Sequence, residues 1–199
     1  MKRNSSRRDR AFTLIEMIGV LAVIAILASL LVPKIYEAIN SARISQAVLS
    51  VQTIKTAVME HYAKFYSLAS SNGVPLAFNN DYPGFDRVLL GEGLIDQPFK
   101  LRIDPSAFLL LRAVPTSTVV DAGSATAYDL DGDGNSDLGT AHFILEVFFA
   151  NLPHADAMAL NDRLDGAQLG EGLTGTDLKG RVIYDLTKYP QVHIYITHF

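Results

Sequence analysis

The stretch AFTLIEMIGVLAVIAILASLLVP, Ala11 to Pro33, decides how the rest of this chain is read. Between Phe12 and Val32 it holds 21 residues, of which only Glu16 is charged. A helix rises about 1.5 Å per residue, so such a run covers the roughly 30 Å hydrocarbon layer of a bilayer. Five cations, Lys2, Arg3, Arg7, Arg8 and Arg10, crowd the ten residues in front of it beside a single acid, Asp9. Basic residues stay on the cytoplasmic side, so the sequence predicts one span with its body outside. A single carboxylate five residues inside that span costs several kcal/mol in hydrocarbon, and its default reading is a functional group with a partner.

A secretory signal peptide has a shorter apolar region, a small-residue cleavage site and then a change of pattern. Here the helical pattern continues. Ile35, Ile39 and Ala42, then Val48, Val51, Ile54, Val58, Tyr62 and Phe65, recur at spacings of three and four. That spacing marks one face of an amphipathic helix. Lys34, Glu37, Asn40, Arg43, Gln46, Gln52, Lys55, Glu60 and Lys64 fall between them as the wet face. The expectation is one helix of about 55 residues, spanning about 80 Å. Pro33, lacking an N–H and clashing with the preceding turn, is expected to kink it or melt a turn locally.

The residues Arg10-Ala11-Phe12-Thr13-Leu14-Ile15-Glu16, with the apolar run and Pro33 behind them, resemble the type IV pilin class, which includes major and minor pilins and the pseudopilins of type II secretion. The resemblance covers about the first 60 residues and implies that a membrane-embedded prepilin peptidase cuts between Ala11 and Phe12. Phe12 then becomes the N-methylated first residue. Glu16 stands fifth in the mature chain, where the class has its glutamate, and Pro33 twenty-second, where many members have a helix-breaking proline. The class prefers glycine before the cut, and this chain has alanine, the next smallest residue.

The same resemblance implies partners and place. The chain would polymerise with itself through the helix, pass through an inner-membrane assembly platform, and end in a periplasmic or cell-surface filament. Glu16 has a physical role in that scheme. Cleavage creates an amine on Phe12 in apolar surroundings, and a carboxylate one turn along can pair with the amine of a neighbour. That pairing would set axial register, as a buried polar group does in a coiled coil.

The division read from the sequence is a leader over 1–11, a membrane and assembly helix over 12–33, its amphipathic continuation over 34–68, and a head over 69–199. Short elements separated by turn signals fill the head. Loops are expected at 70–73 and 79–84, short helices at 85–95 and 153–164, and strands at 108–111, 142–149, 181–186 and 192–197. The expected fold class is α+β, with about four antiparallel strands packed on the second half of the long helix, which is also what the resemblance implies.

The full chain has net charge −4, and without the leader 12 cations face 20 anions. No basic face is left for phosphate, so nucleic-acid binding is not expected. With no cysteine, disulfides, thiolate metal sites and cysteine nucleophiles are all excluded.

The strongest candidate for a bound ion is DLDGDGNSD, where Asp129, Asp131, Asp133, Asn135 and Asp137 could turn several hard oxygens onto one Ca²⁺. It matches the opening of an EF-hand loop and departs at the twelfth position, where Thr140 replaces the bidentate glutamate; a solvated Asp/Gly turn is the simpler alternative. Gly170-Glu171-Gly172-Leu173-Thr174-Gly175 fits G-x-G-x-x-G only formally, because no βαβ unit surrounds it. His61, His142, His154, His193 and His198 are scattered without metal spacing, no nucleophile and base can be named, and an enzyme is not expected. The alternatives to a pilus subunit are a type II secretion pseudopilin and a membrane-tethered, calcium-dependent adhesion domain.

Overall fold

The computed structural model describes residues 12–77, 81–114, 120–123, 127–139, 143–166, 169 and 175–199. The leader, Ala11, Thr140, His142 and most of the 170–175 glycine stretch lie outside the described residues. The chain divides into two compact units, Met1–Ala42 and Arg43–Phe199.

In the first unit the helix α1, Leu14–Phe65, begins. By length and composition it is able to cross a membrane. Every residue from 12 to 42 is exposed, including Ile35, Ile39 and Ala42, which the periodicity places on a buried face. The correction has a simple cause: burial along α1 starts at Ile44, inside the second unit, so the earlier apolar residues face no protein. Pro33 neither ends the helix nor melts a turn. One ladder bond is forfeited because proline has no N–H, and the surrounding apolar residues keep the helical backbone on both sides.

In the second unit α1 buries Ile44, Ala47, Val51, Ile54, Ala57, Val58 and His61. Val51, Ile54 and Val58 belong to the expected face and Val48 and Tyr62 are partly buried beside them, while Ile44, Ala47, Ala57 and His61 widen the stripe; each fully buried aliphatic side chain contributes about 1.5–3 kcal/mol. They share one core with Leu109, Leu111, Leu145, Val147, Phe149, Val192 and Ile194 of the sheet.

Two short strands, β1 (Ser70–Ser71) and β2 (Val74–Pro75), form a hairpin after the helix. Among the described residues the main sheet has six strands where about four were expected: β3 (Asp81–Pro83), β4 (Phe108–Ala113), β5 (Phe143–Phe149), β6 (Thr176–Asp177), β7 (Val182–Asp185) and β8 (Val192–His198). Their order is β3-β4-β5-β8-β7-β6, every pair antiparallel. The four expected strands make its middle. The two additions are edge strands of two and three residues, too short for a period-2 pattern to be visible. Pro83 is accommodated because β3 is an edge, where a missing donor costs no ladder bond. Helix α2 covers Asp86–Gly91, shorter than the expected 85–95, and α3 covers His154–Leu164, ending before Gly166 at φ +74°.

The outer face of the sheet is covered as well. The connection from β4 to β5 brings Tyr128 and Leu138 onto Ile144 and Ile183, a second, smaller core. Tyr128 is followed at once by the acidic loop, so this cover also positions the candidate ion site.

Candidate functional site

At the start of α1 the structure supplies a partner for Glu16 that the apolar pattern does not reveal. Thr13 N and Thr13 Oγ1 both donate to Glu16 Oε2, at 2.8 and 2.7 Å, and Glu16 N donates back to Thr13 Oγ1 at 3.3 Å. This is the reciprocal capping box that S/T-x-x-E forms at a helix N-terminus. Thr-Leu-Ile-Glu was the available signal, masked by the apolar run that follows. Both donors to the carboxylate lie after the Ala11–Phe12 bond, so the cap does not depend on the leader. Replacing Thr13 by valine is expected to weaken the first turn by about 1 kcal/mol, while Thr13→Ser keeps it. Amide exchange at residues 14–17 in detergent micelles reads the difference.

The acidic loop is organised by its own carboxylates. Asp129, only 2% exposed, accepts from Gly132 N at 2.7 Å and from Gly134 N at 2.9 Å. Asp137 Oδ2 accepts from Leu130 N and Asp131 N, at 2.6 and 3.1 Å. Gly132 and Gly134 take φ of +84° and +91°, left-handed values that glycine adopts without strain. Outside the loop, Gly180 N donates to the Asp129 carbonyl at 2.7 Å and Asp137 N to that of Tyr128 at 2.8 Å, fastening both ends.

Of the five expected ligands, Asp129, Asp131 and Asp137 bring carboxylate oxygens within 4.8 Å of one another. Asp133 does not join that group of carboxylates; its Oδ1 instead accepts from Asn135 N at 2.8 Å. The hydrogen bonds explain the shape of the loop as an Asp/Gly turn. Each carboxylate oxygen has two lone pairs, so these bonds do not exhaust the capacity of Asp129 and Asp137.

Two histidines gain partners that sequence spacing could not show. His61 Nδ1 lies 2.6 Å from Glu92 Oε2, and His193 Nδ1 lies 3.1 Å from Glu146 Oε1, with all four side chains fully buried. Glu146 also accepts from the Tyr128 hydroxyl at 2.6 Å and lies 3.4 Å from Arg112 Nη2. Arg112 Nε continues to Asp81 at 2.9 Å. Burial first, then the charge and hydrogen bond of Glu146, push the Tyr128 hydroxyl well above its usual range. The one visible signal was a charged residue, Glu146, in the middle of HFILEVFF; its partners come from other strands and the β4–β5 cover.

His198 meets the Tyr195 hydroxyl at 2.6 Å, and the His154 ring stands edge-on to Tyr184. A groove of about 520 Å³ runs between α1 and residues 94–100, lined by Gln46, Leu49, Ser50 and Thr53 on the helix side. Its charged lining residues are Asp96 and Lys100, and among the described residues no histidine lines it beside its hydroxyls.

The N-terminal segment is matched by the family described as the prokaryotic N-terminal methylation motif, over residues 6–32. That match takes in Ala11, Phe12, Thr13 and Glu16, and supports the resemblance to the type IV pilin and pseudopilin class at the segment that carries it. The chain is also similar to the major type IV pilin PilA1 from Clostridium difficile, at 13% identity and a TM-score of 0.39, covering 80% of this chain and 97% of that one. A likeness so slight carries no further inference. The architecture is nevertheless the expected one, a long N-terminal helix whose second part packs on an antiparallel sheet.

Proposed function

We propose that this chain is a structural subunit of a type IV pilus-like filament, cut by prepilin peptidase between Ala11 and Phe12 and polymerised through α1. The observation that carries the reading is the exposed apolar stretch from Phe12 to Val32, containing one acid and overlapping the methylation motif. An apolar surface of that length needs lipid before assembly and the same stretch of other subunits afterwards. Before assembly the chain sits in the inner membrane with its head outside; afterwards it belongs to a periplasmic or surface filament. The work is mechanical and not enzymatic. A pseudopilin of type II secretion differs only in where the filament stops, and shares every step above.

The test is the mass of the N-terminal peptide in cells with and without prepilin peptidase. Methylated Phe12 in the first and intact Met1 in the second are expected. Met1 retained in both overturns the processing step, and leaves the tethered-domain alternative.

Ca²⁺ at Asp129, Asp131 and Asp137 is part of the proposal, favoured by the convergence of their carboxylates. Its role would be to relieve the repulsion among the three and stiffen the β4–β5 cover, since an ion that binds the folded state raises stability by mass action. The detergent-solubilised chain should melt several degrees higher in saturating calcium than with chelator. An unchanged midpoint removes the ion and leaves the Asp/Gly turn.

A further inference from the structure

The pair His61 and Glu92 belongs to neither assembly nor the acidic loop, yet it joins three segments. His61 lies on the last turns of α1, where the helix ends at Phe65 and Tyr66 turns left-handed at φ +55°. The reversal aims the Ser67 carbonyl back at the ring, 2.9 Å from His61 Nε2. Glu92, just after α2, places Oε2 at 2.6 Å from His61 Nδ1 and accepts from Asn72 N, in the β1–β2 turn, through Oε1 at 2.7 Å. Phe65 and Phe85 flank the imidazole, with ring centroids 5.1 and 5.6 Å away. Both side chains of the pair are wholly buried.

Both ring nitrogens therefore face acceptors. A peptide carbonyl cannot donate, and neither can an ionised carboxylate. With Glu92 ionised, both contacts are hydrogen bonds only if the ring carries two protons. A buried imidazolium against a buried carboxylate is a neutral pair whose bonds are charge-assisted. We propose that His61 and Glu92 form a proton-operated clasp, closed as imidazolium and carboxylate, that holds the β1–β2 hairpin and the end of α2 to the end of α1.

The consequences at each pH extreme follow from the donors. Removing the ring proton as pH rises sets a lone pair against either Ser67 O or Glu92 Oε2. Adding a proton to Glu92 as pH falls places a neutral acid opposite an imidazolium and weakens the bonds from His61 and Asn72. All three contacts are hydrogen bonds together only in the imidazolium–carboxylate form. No other ion pair to His61 is found among the described residues. Lys64 of α1 turns its ammonium over the Phe65 ring, Asp86 of α2 accepts from Phe99 N, and the Arg87 side chain runs beside Gly84. The hairpin has two residues per strand, too few to be stable alone, so the clasp adds to the packing of Ala69 and Leu76 on the core in keeping it docked.

The test uses the full chain in detergent micelles with ¹⁵N-labelled histidine, the His61 ring being assigned through its contacts to Phe65 and Phe85. At neutral pH both His61 nitrogens should resonate as protonated. Asn72 amide protection, corrected for intrinsic exchange, should fall about tenfold at acid and alkaline extremes, the change expected for losing one charge-assisted hydrogen bond. Glu92→Gln should remove that pH dependence; the unaltered chain alone suffices for the test if that variant does not fold. An unprotonated nitrogen on His61 at neutral pH, or Asn72 protection that ignores pH, overturns the clasp.

Discussion

Glu16→Val is expected to leave membrane insertion and leader cleavage intact and to abolish filaments. In the proposed processing, a cut before Phe12 would put an ammonium at the start of an apolar helix, and a charge in such surroundings is tolerated only with a counter-ion. Glu16 is the only acid between Phe12 and Val32, and its Oε2 is already drawn back to the helix start by Thr13. Leaving one member of a buried ion pair alone costs about 3–5 kcal/mol, which is more than a hundredfold in the concentration needed to assemble. Valine also removes the capping box, so the comparison must include Thr13→Val. That change costs about 1 kcal/mol of cap and keeps the carboxylate, and it should retain filaments at reduced yield. Electron microscopy with quantitation of sheared filaments separates the two. Normal filaments from Glu16→Val would remove the counter-ion account, and equal loss from both variants would move the role of Glu16 to the cap.

The largest effect in the head is expected from Glu146→Ala. On the outer sheet face Glu146 receives Tyr128, faces His193 and Arg112, and is wholly buried. Among the described residues Arg112 Nη1 and His193 Nε2 have no hydrogen-bond partner, and Glu146 is the wholly buried carboxylate of the cluster, while Asp81 meets Arg112 Nε from a half-exposed edge. Removing it takes the acceptor from the Tyr128 hydroxyl and the His193 ring together and leaves the Arg112 guanidinium with Asp81 alone, at a cost of about 3–5 kcal/mol. The denaturant midpoint should fall accordingly. Tyr128→Phe should lose only about 1 kcal/mol, because no charge is left behind. The raised Tyr128 ionisation gives a further sign: the fold keeps that proton longer than the unfolded chain does, so its contribution is present through neutral pH. It is lost as pH rises above the ordinary tyrosine range. A loss below 1 kcal/mol for Glu146→Ala would mean that water or a second acceptor satisfies the cluster.

These residues also mark what could and could not be read from the chain. The long helix, the middle four strands and α3 were legible because their apolar spacing follows 3.6 or 2 residues and turn residues bound them. The extent of burial on α1 was not: Ile39 and Ile44 look alike in the pattern, and only the start of the second unit separates them. Edge strands β3 and β6 were too short to show a period. At the candidate site, the acid in the apolar run was plain, but Thr13 was hidden because a threonine at a helix start reads as part of the run. For the acidic loop the local spacing showed that carboxylates alternate, while their convergence depended on which of them turned inward to accept backbone N–H groups. His61–Glu92 and Glu146–His193 join residues 31 and 47 apart, and no local pattern carries such a pairing.

The central claim, that α1 is an assembly helix released by cleavage before Phe12, is tested most directly on filaments sheared from the cell surface. Electron microscopy shows whether they exist, and mass spectrometry of their subunit shows where it begins. Filaments built from this chain and starting at methylated Phe12 are the predicted result; filaments lacking it, with the chain left in the membrane at an uncut Met1, would contradict the account.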